Sequence, residues 1–181
     1  MIISSLKFSN KKIGYIKLEF KVHPKVRIGH IHLTVSDLES SLKFYRDLLG
    51  FEITTYYGDS AVFLSAGGYH HHIGLNTWNG KGATPPPPGH TGLYHFAIIY
   101  PDRKELARVV KRLYELNYPI EGASDHGVSE AVYLRDPDGN GVELYTDRKL
   151  EDWPINSEGH LQMSTNPLDL LGLLSELDDE D

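Results

Sequence analysis

The sequence predicts an α+β fold: two β-α-β-β-β modules, each a four-stranded curved mixed sheet with one helix, set around a shared cleft. Three observations lead there. The hydrophobic pattern runs strand, helix, strand, strand, strand, and then repeats the series. The halves overlay, with HIHLTVSDLESSLKFYRDLLGFEI on HFAIIYPDRKELARVVKRLYELNYPIE and AVFL at 61–64 on AVYL at 131–134. Between them lies NGKGATPPPPGHTG, residues 79–92, whose consecutive prolines Pro85 to Pro88 forbid a helix and favour an extended linker. A sheet of this size cannot close on itself, so two are expected to flank a cleft.

In chain order, residues 1–26 form an N-terminal extension whose partial alternation (Ile13, Tyr15, Ile16, Leu18, Phe20, Val22) suggests an edge strand or a hairpin. The first module spans 27–78. Ile28 to Val35 is rich in β-branched residues and reads as a strand. Ser36 and Glu39 are spaced for a capping box; Leu38, Leu42, Tyr45 and Leu49 then recur at helical spacing, and Gly50 ends the helix. Phe51–Tyr57, Ala61–Ser65 and His70–Thr77 read as strands separated at Gly58-Asp59 and Gly67-Gly68. The second module spans 93–148. It holds a strand over Leu93–Tyr100, a helix within Pro101–Asn117, and strands at Pro119–Ala123, Glu130–Leu134 and Gly141–Thr146. The run Asp136-Pro137-Asp138-Gly139-Asn140 is a turn. The tail, 149–181, carries Leu168, Leu171, Leu174 and Leu177 at helical spacing, expected as a short amphipathic helix.

Composition narrows the functional classes. The net charge of −7 and the lack of a basic cluster argue against nucleic acid as a partner. No apolar run approaches the roughly 20 residues of a membrane span, and no signal-peptide pattern opens the chain. The absence of cysteine excludes disulfides and thiolate ligands and suits a cytoplasmic protein. Ten histidines leave His, Asp and Glu as metal ligands, which favours iron, manganese, zinc or nickel.

The duplication nominates a site. Equivalent positions of two repeats that share a cleft converge. His30 overlays His95, and Glu143 overlays Gly74, which offers no side chain. Four converging positions would thus carry His30, His95, Glu143 and a vacancy, the two-histidine, one-carboxylate arrangement that leaves coordination sites open. Taken singly, each histidine reads first as an ordinary half-buried strand residue, and only together with Glu143 do they point to a metal. His32 shares the face of His30 and competes with it as a ligand, but its counterpart is Ala97, which breaks the symmetry.

These residues resemble the vicinal oxygen chelate superfamily and, within it, the type I extradiol (catechol 2,3-type) dioxygenases. The resemblance covers residues 27–148 and rests on GHIHLTVSDLESSLKFYRDLLGF, YHHHIGL and DHGVSEAVYLRDPDGNGVELY. The first of these, and RDPDGNGVELY alone, are shared with glyoxalases, epimerases and antibiotic-resistance proteins of the same superfamily. The resemblance implies Fe(II), with Mn(II) as the alternative, on His30, His95 and Glu143. It also implies His72 as the acid–base, His126 as a hydrogen-bonding partner of the substrate hydroxyls, and Tyr133 lining the pocket near the metal. Strand alternation from Gly74 places His70 and His72 on the cleft face and turns His71 away.

The expected reaction is oxidative ring cleavage of a catechol-type aromatic by dioxygen. The alternatives are a metal-dependent lyase, isomerase or transferase of the same superfamily, and a non-catalytic small-molecule-binding module. A lyase of the glyoxalase kind needs a carboxylate where Gly74 stands. A single module pair leaves an exposed sheet edge, so a homodimer is expected.

Overall fold

Residues 21–177 are described in the computed structural model. The N-terminal edge strand or hairpin expected within residues 1–26 falls almost wholly on residues 1–20, outside the described residues, and residues 21–26 form no strand. The first module builds β1 (Ile31–Thr34), α1 (Leu38–Leu42), β2 (Glu52–Tyr57), β3 (Ala61–Ser65) and β4 (Ile73–Asn76). The second builds β5 (His95–Ile99), α2 (Arg103–Glu115), β6 (Gly122–Asp125), β7 (Ser129–Arg135) and β8 (Gly141–Asp147). The sheets have the orders β1-β4-β3-β2 and β5-β8-β7-β6, the second extended by β9 (Asn166–Pro167). The orders correspond strand for strand, as duplication requires. Register agrees too: Gly74 pairs with His32 and Phe63, and Glu143 with Ala97 and Tyr133.

Local details depart from the pattern-based expectation for physical reasons. Asp37, not Ser36, caps α1, its carboxylate accepting from the Ser40 amide at 2.8 Å. The Ser36 amide instead donates to Asp138 of the other module at 3.1 Å. Beyond α1 the chain widens into a π-helical segment, Lys43–Leu48. The extra residue per turn lets the neighbours Phe44 and Tyr45 both point inward, where both are buried. In the tail, α3 (Leu170–Leu174) is short, and Leu173 is its buried residue while Leu171 is 82% exposed. The expected tail helix is therefore present, but its face is rotated.

One continuous core joins the modules. Phe44 lies 5.3 Å from Tyr118 and Tyr45 lies 6.4 Å from Phe96, centroid to centroid. The Tyr45 hydroxyl donates to Asp136 Oδ2 at 2.8 Å. Asp136 also accepts from the Asn140 amide, the Asp138 amide and the Asn140 side chain. The Asp136–Asn140 turn thus anchors the other module's helix as well as reversing its own hairpin. This docking leaves β1 and β5 as sheet edges, each paired on one side only.

Candidate active site

Glu143 projects from the middle of β8, between β5 and β7. Its Oε2 is 3.0 Å from His95 Nε2, and its Oε1 is 3.2 Å from the Tyr133 hydroxyl. That hydroxyl is in turn 2.6 Å from His126 Nε2. Burial, and then the Glu143 carboxylate, push the Tyr133 phenol up to about 12, so it stays protonated at neutral pH. A cavity of about 370 Å³ opens beside this row, lined by Tyr94, His95, His126, Tyr133 and Thr165 among others. That volume suits a small ligand such as a single substituted ring. Four residues nominated from the sequence, His95, Glu143, Tyr133 and His126, therefore stand together.

The other two stand elsewhere. His30 precedes β1 and is exposed, and its ring lies 4.4 Å from that of His71. His71 also meets Phe63 at 5.0 Å and His70 at 4.5 Å. Burial, followed by the neighbouring imidazoles of His30 and His70, holds His71 below the usual histidine range. His72 lies against Ser65, with Nδ1 3.0 Å from the hydroxyl, and against the rings of Phe51 and Tyr69. The expectation that His71 points away is thus corrected. The strand is Ile73–Asn76, and ladder hydrogen bonds reach back only to His72, so alternation does not hold at His71. His32 packs between Phe63 and Trp78, and a Cβ added at Gly74 would come within 3.0 Å of its ring.

The fit to a divalent metal is partial within one chain. Two ligands about 2.1 Å from a cation and at right angles to it stand about 3.0 Å apart, the separation of His95 Nε2 and Glu143 Oε2. Among the described residues, however, no three His, Asp or Glu side chains converge on one metal position. His30 does not join the pair.

Sequence reading missed the tail's part in this region. β9 pairs with β6, and the Ser164 carbonyl meets His126 Nδ1 at 2.7 Å. Nothing in the polar stretch around Ser164 signals this.

A family model described as the Glyoxalase/Bleomycin resistance protein/Dioxygenase superfamily matches residues 27–144. The chain is 43% identical over 159 residues to a catechol-2,3-dioxygenase of Bacillus subtilis (strain 168), covering 88% of this chain and 55% of that protein. It is 31% identical over 121 residues to biphenyl-2,3-diol 1,2-dioxygenase 3 of Rhodococcus globerulus, covering 67% of this chain and 63% of that one. The chain therefore spans little more than half the length of these relatives. A lactoylglutathione lyase structure from Agrobacterium tumefaciens superimposes with a TM-score of 0.53 at 29% identity, covering 68% of this chain and 96% of that one.

Proposed function

Because this chain belongs to the glyoxalase/bleomycin resistance protein/dioxygenase superfamily, we propose that it is an extradiol dioxygenase that opens a catechol-type ring with dioxygen. The observation that carries this reading is the row His95–Glu143–Tyr133–His126 beside a cavity of one-ring size. Similarity to two dioxygenases of vicinal diols supports the substrate class. Gly74, where a fourth ligand would stand, weighs against a glyoxalase-like lyase. The cysteine-free composition suits the reducing cytoplasm, which is part of the same proposal.

His95 and Glu143 would hold Fe(II), or Mn(II), together with His30. Such a cation supplies Lewis-acid and redox chemistry toward a diol and dioxygen. The chain's own residues do the rest. Tyr133, protonated at working pH, lines the cavity beside the place for the substrate. His126 orients that phenol. His72, held by the Ser65 hydroxyl, is the proposed proton carrier, and a histidine suits that task near neutral pH. Anaerobic loading with Fe(II), then air and a panel of catechols, tests the reaction. Iron-loaded protein that yields no coloured ring-opened product from any catechol defeats it.

His30 comes, in this proposal, from a second copy. β1 and β5 are edge strands with an unpaired side. Near them Ile28 is 90% and Tyr94 80% exposed. An edge of this kind is a template for pairing with another strand. In a two-fold dimer, β1 of one copy beside β5 of the other would complete two sites. The test mixes two inactive variants, His30→Ala and Glu143→Gln. Random exchange makes half the dimers mixed, each with one intact site, so about a quarter of wild-type activity should return. Exchanged but inactive mixtures would rule out the shared site.

A further inference from the structure

The segment between Trp153 and Pro167 is fastened at both ends. The Trp153 indole donates to the Arg148 carbonyl at 3.0 Å. Beyond the segment, Leu173 is buried in the core, and Arg103 ties the Gly172 carbonyl and Glu176 to α2. Between these anchors the Gln162 amide donates to the Pro154 carbonyl at 2.8 Å, and β9 adds to the sheet at β6. The segment is therefore a strap laid across the end of the second sheet. Ser164 is its point of contact with His126. Its amide donates to the His126 carbonyl at 3.1 Å, its hydroxyl to the Asp125 carbonyl at 3.2 Å, and its carbonyl faces His126 Nδ1 at 2.7 Å. Gly127 permits this approach: its φ is +75°, and a Cβ there would press on Pro154 at 3.1 Å.

We propose that the Ser164 carbonyl is a positioning group that fixes the tautomer of His126 and thereby directs the hydroxyl proton of Tyr133 away from Glu143. The inference rests on the assignment of His126, Tyr133 and Glu143 to the site made above. A carbonyl oxygen only accepts, so Nδ1 of His126 must carry a proton. In the neutral ring Nε2 is then bare and accepts from the Tyr133 hydroxyl 2.6 Å away. Tyr133 has one proton, and it goes to His126. Glu143 keeps both oxygens as acceptors for His95 or a cation. With the opposite tautomer, His126 would donate to the phenol oxygen, and the phenol would turn its proton onto Glu143 Oε1 at 3.2 Å. One carboxylate oxygen would then be occupied by a hydrogen bond. Outer-sphere groups of this kind alter metal affinity by roughly 10- to 100-fold.

The experiment reads the tautomer directly. Long-range proton–nitrogen NMR of the full metal-free chain at about pH 8, above the ordinary histidine pKa, should show His126 protonated at Nδ1. Ser164→Pro removes the amide that holds the strap to His126. It should give a mixed tautomer and about tenfold weaker Mn(II) binding by calorimetry. Ser164→Ala keeps the carbonyl and amide and should match the wild type in both. A wild-type ring protonated at Nε2 overturns the proposal, as does a folded Ser164→Pro protein that keeps the pure Nδ1–H tautomer. Should Ser164→Pro fail to fold, the wild-type spectrum still decides. Neither readout involves ring cleavage, so an inactive protein with Nδ1–H defeats the proposed function and leaves this inference standing.

Discussion

The two modules carry the same scaffold and different chemistry at matched positions. In the sequence overlay His30 answers to His95, and in strand register His32 answers to Ala97, Phe63 to Tyr133 and Gly74 to Glu143. In the second module the substitutions add a phenol and a carboxylate, and these connect His95, Glu143, Tyr133 and His126 in one polar row. In the first module the same face is a stack of rings, with His30, His71, Phe63, His32 and Trp78 in sequence. Among the described residues no carboxylate joins that stack, and the His32 ring lies over the place a side chain at 74 would need. A carboxylate offsets part of a divalent cation's charge, and a row of neutral imidazoles does not. In the proposed reaction this difference would divide the work: the second module would anchor a cation, and the first would contribute one neutral ligand and a proton-bearing histidine.

The largest expected effect removes what distinguishes the second module. Glu143→Gln keeps the shape but removes the charge and turns one acceptor oxygen into an NH2 donor. Binding of Fe(II) or Mn(II) should fall more than the roughly 100-fold limit of an outer-sphere change, with thermal stability little altered. His32→Ala, at the competing position of the first module, should leave metal affinity within about twofold, well short of an outer-sphere effect. Equal losses from the two variants, measured by metal titration, would erase the contrast between the modules.

A smaller effect separates the histidines of the triple run. His72→Asn should lower kcat by about 100-fold, the low end for loss of a general acid–base, without changing metal occupancy. His71→Asn loosens the contact with His30 and should instead act mainly on metal retention. The reverse assignment is the competing outcome, since His71 is the member whose ring meets His30. Steady-state kinetics beside metal analysis of both variants distinguishes the two.

The repeat was legible in the sequence because matched strands keep matched residues, such as Ala61–Leu64 and Ala131–Leu134, whose core positions are fixed by the same pairing. Symmetry of that kind states that two residues have equivalent surroundings. It does not state that they meet. Whether His30 reaches His95 depends on how the modules dock, and docking is set by Tyr45 on Asp136, Phe44 on Tyr118 and Ser36 on Asp138. None of these pairs follows from a local period. Alternation likewise failed at His71 because the rule holds only inside a ladder, and the ladder's hydrogen bonds reach back only to His72. The strap was invisible because its contacts to His126 and Asp125 use mostly the backbone of Ser164, which any residue possesses.

Tyr45 offers the smallest and cleanest test of that docking. Burial, and then the Asp136 carboxylate, raise its phenol above the ordinary tyrosine range. A folded-state pKa above the unfolded value of about 10 means that the stabilisation is fully present below pH 10. It drains away as pH rises through the folded-state value. Tyr45→Phe removes the hydrogen bond while Asp136 keeps its partners in the turn, so the carboxylate is not orphaned. The cost at pH 7 should be about 1–2 kcal/mol, or roughly 3–6 °C in Tm for a chain of this length. The variant should also lose less stability than the wild type between pH 8 and pH 11, because the group whose ionisation opposes folding is gone. Chemical denaturation across that range checks both parts. Parallel alkaline curves for the two proteins would mean that the Tyr45–Asp136 contact does not hold the modules together in solution.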